Sequence, residues 1–199
     1  MHKSGTAILL IGLIMSTSQA ANLDDWPCIQ RYIPELSATV VWHQAPPKKN
    51  LTLSDPMAHQ KIVDISTNLR NDISLIEKTL EGYLKEKAHI TELRNLLFYD
   101  IFEKIQANRK RILKGIFRYS EKQQRLAIRI DKQRTSISAA LASDEADLAN
   151  LEDLQTRQSW DSRVFRERRQ QLAYLCEKPV KLEQRLFFIA QTLNSTSAP

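Results

Sequence analysis

Residues that build tight turns and reactive sites are scarce in this chain. It has only four Gly and two Cys in 199 residues. No Gly-rich phosphate loop and no G-x-S-x-G motif is present, and the four His lack the spacing of a metal-ligand pair such as H-x-x-x-H. The sequence therefore predicts no catalytic residues, no metal site and no cofactor. We therefore expect that the protein is not an enzyme. The opposing hypothesis is an enzyme whose active site carries no recognisable motif.

Long hydrophobic runs are also lacking. The longest, Ala7–Met15, is too short to cross a bilayer, follows the basic Lys3 and precedes the small residues of Ser18–Ala20. This order is typical of a secretory signal peptide, so we predict one over residues 1–20, cleaved on export to the periplasm. A retained membrane anchor is the alternative.

The only cysteines are Cys28 and Cys176. An isolated pair in an oxidising compartment most simply forms one disulfide. Two free thiols, or pairing between chains, are the alternatives. No C-x-x-C motif indicates a catalytic thiol pair.

Proline separates two regions of the chain. Residues 21–55 contain four Pro, which rule out long helices, and we predict an irregular segment packed on the helices. Ala38 to Trp42 is a candidate short strand without an evident partner. Residues 56–194 form a helical domain, and 195–199 a disordered tail. The predicted helices span about 56–86, 91–142, 144–177 and 180–194, where Pro179 separates the last two.

A heptad ladder runs through the second of these helices. Its members are spaced four and three residues apart: Ile112, Ile116, Tyr119, Gln123, Leu126, Ile130, Gln133 and Ile137. Such spacing keeps one stripe of side chains on one side of a helix. A matching stripe on the next helix is predicted at Leu148, Leu151, Gln155, Gln158, Ser162, Phe165, Arg169, Leu172 and Cys176.

These stripes predict an all-α fold. We expect an elongated helical bundle with a long antiparallel coiled-coil hairpin: a three-helix base, and a two-helix arm that projects from it. Cys176 would lie beside roughly residue 111, so a disulfide would tie the irregular N-terminal segment to the base. In the alternative, the arm folds back to give a compact four-helix bundle.

Charge is distributed unevenly along this rod. The formal net charge is +6, but residues 94–134 hold twelve basic and four acidic side chains, whereas residues 144–161 hold six acidic and one basic. The basic stretch is compatible with an anionic membrane surface, an acidic protein partner, or a solvated helix face. Export disfavours nucleic acid.

Aromatic residues interrupt a dense group of arginines in the C-terminal half. Such a group either rigidifies the junction of arm and base or forms a docking surface. The candidate partner surface comprises Arg109, Lys110, Arg111, Trp160, Arg163, Arg166 and Arg169.

The segments WPCIQRYIPELS and WDSR…YLCEKPVKLEQRLF carry a resemblance. They resemble uncharacterised exported helical proteins of Gram-negative bacteria, with which no activity is associated. The resemblance covers the two cysteine-bearing segments and, loosely, the helical middle. It implies export and a disulfide.

Together these observations favour a non-enzymatic periplasmic binding or scaffold protein. Its coiled-coil arm would engage another exported protein. A holdase-like periplasmic chaperone is the alternative function, and a homo-oligomer or an anionic membrane surface is an alternative partner.

Overall fold

The computed structural model describes residues 26–47, 52–85, 90–143 and 147–195. Across these residues every regular element is a helix and no strand occurs, which confirms the all-α prediction. The helices are α1 (Ala38–Val41), α2 (Pro56–Thr67), α3 (Ile73–Leu84), α4 (Ile90–Leu141) and α5 (Leu148–Ser195). The predicted signal peptide and residues 196–199 of the predicted tail lie outside the described residues, whereas Ser195, which was predicted to belong to the tail, is the last residue of α5.

The two long helices form an antiparallel hairpin. At 1.5 Å per residue, α4 is about 80 Å long. Tyr119 bonds Gln171 at 3.0 Å, and Arg129 bonds Asp161 farther along α4. All residues of the predicted heptad ladder on α4 are buried or half-buried. The hairpin is therefore held by the predicted seam.

The apolar core lies at one end of the hairpin, the base. There α2 and α3 cover the N-terminal half of α4 and the C-terminal half of α5. Trp42 stacks on Phe98 with ring centroids 4.7 Å apart, and its indole donates to Asn95 Oδ1 at 2.8 Å. The fully buried members of this core include Ile76, Leu80, Leu97, Phe98, Ile101, Ile105, Leu182, Leu186, Ile189 and Leu193.

The rest of the hairpin is the arm. The shorter helices reach α4 at Asp100 and Lys104, and α5 at Arg185, all within the base. Beyond Phe117, α4 contacts α5 through pairs such as Tyr119–Gln171 and Arg129–Asp161, and no shorter helix takes part in these contacts. In the described part of the chain, the arm thus projects and does not fold back into a four-helix bundle.

The helix predicted over 56–86 is wrong as a single element, because it breaks at Asn68. The Asn71 side chain donates to the Ile65 carbonyl at 2.9 Å, and the Asp72 carboxylate accepts from Leu75 N at 2.7 Å. These two bonds end α2 and start α3. Arg185 on α5 donates to the carbonyls of Asn68 and Asn71, which fixes the turn against the base.

Two further local predictions are wrong. Pro179 lies inside α5, which continues to Ser195 with no break between 177 and 180. Proline lacks the N–H that would bond one turn back, but the residue is buried in the base and packing on both sides keeps the helix intact. The candidate strand at 38–42 is instead one helical turn, α1.

The predicted stripe on α5 is shifted by one residue at alternate positions. Gln155 and Arg169 are exposed, whereas Leu154 and Arg168 are half-buried. The seam of α5 follows Leu151, Leu154, Gln158, Asp161, Phe165, Arg168 and Leu172. A one-residue shift still obeys a 3-4 spacing, so the spacing alone did not exclude it.

A disulfide ties the N-terminal segment to the junction of base and arm. The Cα atoms of Cys28 and Cys176 are 5.6 Å apart, which confirms the predicted bridge in this structure. Trp26 and Tyr32 pack on Phe117 of α4, with centroids 5.3 Å and 5.2 Å from its ring. The contacts Tyr119–Gln171 and Arg109–Glu183 place Cys176 opposite the stretch between residues 109 and 119, as the predicted register requires.

Candidate protein-binding surface of the arm

Polar side chains occupy the middle of the arm seam. Gln123 donates to the Phe165 carbonyl at 3.1 Å, and Gln133 donates to Asp161 at 2.9 Å. Arg129 adds two bonds to the Asp161 carboxylate, at 2.7 Å and 2.6 Å. These bonds, above all that from Arg129, lower the pKa of Asp161. The seam therefore uses its polar groups to join α4 to α5, and does not offer them to a partner.

The outward face of α4 carries a row of cations, the basic stripe. Its members are Arg111, Lys114, Arg118, Lys122, Arg125, Arg129 and Lys132. All seven are exposed, and each follows the last by three or four residues, so they share one helix face. The stripe runs about 32 Å along the arm.

Most cations of the basic stripe lack an ion-pair partner among the described residues. Arg125 pairs weakly with Glu121 at 3.9 Å, and Arg129 is committed to Asp161. The other five cations form no ion pair with any residue that the structure describes. Like charges three or four residues apart destabilise a helix. An anionic partner along this face would relieve that repulsion.

The outward face of α5 combines exposed aromatic rings with cations. The Arg163 guanidinium lies 5.9 Å from the ring centroid of Trp160. Farther towards the base, Lys178 and Lys181 lie 5.2 Å and 5.6 Å from the ring of Tyr174. Aromatic and arginine side chains are enriched in protein interfaces. Trp160 and Arg163 are both exposed, and their role in a partner surface stays a prediction.

Arg109 does not belong to this surface, and its assignment to the partner surface is wrong. Its side chain is 2% exposed, donates to Glu183 at 2.6 Å, and donates to the Pro34 carbonyl at 3.3 Å. Arg109 instead holds α4, α5 and the N-terminal segment together. Its neighbour Lys110 is exposed but approaches Glu35 of the same segment at 3.6 Å.

The remaining predicted residues fall on different faces. Arg111 belongs to the basic stripe, Trp160 and Arg163 to the outward face of α5, and Arg166 and Arg169 to one side of the hairpin. Arg166 borders a shallow groove of about 380 Å³ between the two helices, the flank groove. It is lined by Ala127, Ile130, Asp131, Arg134, Ser162, Phe165 and Arg166. The structure therefore does not gather the predicted residues into one patch.

Sequence reasoning missed one buried polar cluster, in the base. His59 on α2 bonds the Tyr83 hydroxyl of α3 at 3.0 Å and the Asp100 carboxylate of α4 at 2.7 Å. Burial, together with the charges of Asp55 and Asp100, raises the pKa of Tyr83. The three groups satisfy one another and join three helices, so we assign them a structural role. No local spacing links residues so far apart in sequence.

Within 26–47, 52–85, 90–143 and 147–195, no group of three or more His, Cys, Asp or Glu is arranged to hold a metal ion. In the same ranges, no helix combines the length and the apolar character needed to cross a bilayer.

In comparisons with known proteins, no protein-family model, curated protein or solved structure matches this chain. The resemblance to exported helical proteins of Gram-negative bacteria stays a prediction.

Proposed function

We propose that this protein is a non-enzymatic periplasmic binding protein whose arm engages an acidic face of another exported protein. The observation that carries the proposal is the basic stripe. Five of its seven cations lack an ion pair with any described residue, on a helix that projects from the base. Complementary charge speeds encounter and selects partners, which suits a surface of this kind.

An acidic protein fits the basic stripe better than a membrane surface does. A helix that lies on a membrane needs a free apolar face beside its basic residues. On α4 the apolar face is used by the hairpin, because Leu113, Ile116, Leu126 and Ile130 are buried there. Between residues 111 and 132, over which the stripe extends, Ile128 is the only large apolar side chain that is exposed. The stripe therefore favours a charged partner over lipid.

The holdase alternative needs an accessible apolar concavity. The flank groove is small, and three of its seven lining residues are charged. Such a groove suits one defined ligand better than many unfolded clients. We keep the chaperone as an outcome that the following experiment distinguishes.

The test is in-cell photocrosslinking of the full-length chain. A photoreactive residue replaces Ile128, which is 57% exposed between Arg125 and Arg129. The matched control replaces Met57, which is 85% exposed on the base. We expect one dominant exported protein with acidic surface segments to crosslink at 128 and not at 57. Many unrelated clients would favour the chaperone, and crosslinks to lipid alone would overturn the proposal.

Charge reversal supplies the second arm of the test. The variant Arg118→Glu, Lys122→Glu should remove the crosslink at 128, because it reverses the middle of the basic stripe. The control Arg70→Glu, Lys78→Glu makes the same charge change at exposed positions of the base. If both variants weaken the crosslink equally, net charge and not the stripe is responsible, and the proposal fails.

A further inference from the structure

One side of the hairpin, which we call the flank, already accepts a third segment of chain at its base end. The N-terminal segment covers Phe117 on α4 and is bonded to Cys176 on α5. Asp131 lies two heptads after Phe117, and Ser162 two heptads before Cys176. Residues separated by whole heptads stay on one side of a helix. The flank groove is therefore the continuation of the surface on which the N-terminal segment lies.

The uncovered part of the flank has two defined ends. At the base end, the rings of Trp26 and Tyr32 on Phe117 close it. At the tip, Leu141 and Leu148 are 62% and 76% exposed. Leu141 lies one heptad after Arg134, and Leu148 two heptads before Ser162, so both leucines belong to the flank. The flank groove, around residue 131, lies halfway between the two ends.

One acidic and one basic side chain of the flank are placed symmetrically about this midpoint, whereas Arg169, a further exposed cation on this side, has Ala149 at the mirrored position. Arg166 lies on the base side of the groove, and Glu152, two heptads earlier in α5, lies towards the tip. Asp131 and Arg134 occupy the middle. None of these four side chains forms an ion pair with a residue of the described chain. The midpoint of Glu152 and Arg166 along α5 is residue 159, which the Arg129–Asp161 contact places beside Asp131 of α4.

We infer that a second copy of this chain covers the flank in antiparallel orientation. A twofold axis through the flank groove, perpendicular to the arm, places α5 along α5 and α4 along α4. Glu152 of each copy then lies at the level of Arg166 of the other. Asp131 lies at the axis and comes level with Asp131 of the other copy, and the Arg134 side chains of the two copies lie about 4.5 Å along the arm on either side of it. A twofold interface uses the same patch on both copies, so each complementary pair occurs twice.

The apolar part of the flank adds to this pairing. Ala127, Ile130 and Phe165 line the groove at the axis. Leu141 and Leu148 at the tip of each copy would then contact the part of the other arm that lies next to its Trp26, Tyr32 and Phe117 rings. The overlap ends there, because the N-terminal segment occupies the rest of the flank. Charge complementarity and length together favour a second copy over an unrelated occupant.

This inference is independent of the proposed function, since the basic stripe lies on a different face of α4. The stripe stays accessible in the antiparallel pair. Loss of the pair therefore leaves the crosslinks at Ile128 as a separate result.

The test measures the mass of the disulfide-bonded full chain by sedimentation over a range of concentrations. We expect a monomer–dimer equilibrium that weakens with salt, because the paired charges are exposed. Either Glu152→Arg or Arg166→Glu should raise the dimer dissociation constant by about tenfold or more, because each places like charges together twice. The double variant Glu152→Arg, Arg166→Glu should restore dimerisation. The control Arg118→Glu, on the basic stripe, should leave it unchanged.

The charge-swap result decides the inference. Residues 152 and 166 are two heptads apart in α5, about 21 Å, so they cannot contact each other within one copy. Rescue by the double variant therefore requires that they meet between copies. A chain that stays monomeric at all concentrations would overturn the inference. So would a dimer that either single variant leaves intact, or one that the double variant weakens further. Circular dichroism of each variant separates loss of association from loss of folding.

Discussion

The base and the arm of this protein solve the same packing problem differently. In the base, α2, α3, α5 and the N-terminal segment surround α4, and Leu97, Phe98, Ile101 and Ile105 are completely buried. In the arm, α4 has only α5 beside it among the described residues, and its buried positions include Ser120 and Gln123. The apolar core that stabilises the fold is thus concentrated in the base, and the arm extends a helix pair whose own seam is weak.

Polar groups sharpen the difference. Arg109, Arg185 and His59 are buried in the base, and each bonds residues of other elements. Among the described residues, three buried side-chain polar atoms have no hydrogen-bond partner: the Oε1 atoms of Gln123 and Gln133 in the arm seam, and Ser66 Oγ in the base. An unsatisfied buried acceptor costs about 1–3 kcal/mol. The base therefore uses polar residues to fix its elements, whereas the arm gives up stability at its polar seam positions.

The largest effect should come from emptying the base core. Phe98→Ala removes a fully buried ring that stacks on Trp42, and should lower the free energy of unfolding by about 3–5 kcal/mol. Urea unfolding followed by circular dichroism measures this change.

The matched variant in the arm is Leu126→Ala. Its side chain is buried by one neighbouring helix, so the cavity can collapse and the cost should be nearer 2 kcal/mol. Hydrogen exchange of peptides from each region assigns the loss to base or arm. Equal losses for the two variants would contradict the distinction between base and arm.

Arg109→Met tests a link between the regions. It leaves the Glu183 carboxylate and the Pro34 carbonyl without their shared donor, and should cost about 2–3 kcal/mol. Arg111→Met changes the same residue type at an exposed position two residues away, and should stay within about 0.5 kcal/mol. Urea unfolding of both proteins gives the comparison, and a large cost at Arg111 would show that charge, not burial, matters.

The sequence predicted the long-range architecture because that architecture follows from repeats. The ladder on α4 extends over four heptads, which is enough to define one helix face and its antiparallel partner. Two cysteines allow a single intramolecular pairing. The ends of the helices were harder to predict from the sequence. For example, α2 ends at Asn68 because the side chains of Asn71 and Arg185 bond the backbone carbonyls around that turn. Likewise Pro179 ends no helix, because tertiary packing outweighs its local preference.

The candidate surface was only partly predictable, for a related reason. Exposed Arg111 and buried Arg109 are both arginines in a basic stretch, and only the position of Glu183 and Pro34 distinguishes them. The flank groove depends on the register of α4 against α5. That register is set by contacts such as Arg129–Asp161, which no local pattern specifies.

A smaller, stabilising effect is expected at Gln123. Gln123→Leu replaces a buried side chain with an unpaired Oε1 and should raise the stability of the arm by about 1 kcal/mol. Both variants remove one bond across the seam, but Gln133→Leu should gain less, because Gln133 donates to the Asp161 carboxylate whereas Gln123 donates to the neutral Phe165 carbonyl. Hydrogen exchange across residues 116–137 measures both. Destabilisation by Gln123→Leu would mean that this acceptor is satisfied by water, and that the arm seam is not weakened there.

The smallest effect concerns pH and the Arg129–Asp161 pair. Arg129 and Gln133 hold the pKa of Asp161 below its usual value, near 3.9 in an unfolded chain. The unfolded state then binds the proton first, so this stabilisation is present above about pH 4 and is lost as the pH falls through the lower folded pKa. Asp161→Asn should remove it, at a cost of about 0.5–1 kcal/mol near neutral pH, because the pair is partly exposed. The difference between the two proteins, measured by hydrogen exchange in the arm near neutral pH and by urea unfolding down to pH 2.5, should shrink on acidification. If the stability difference between the two proteins does not change with pH, the charge of Asp161 does not stabilise the arm.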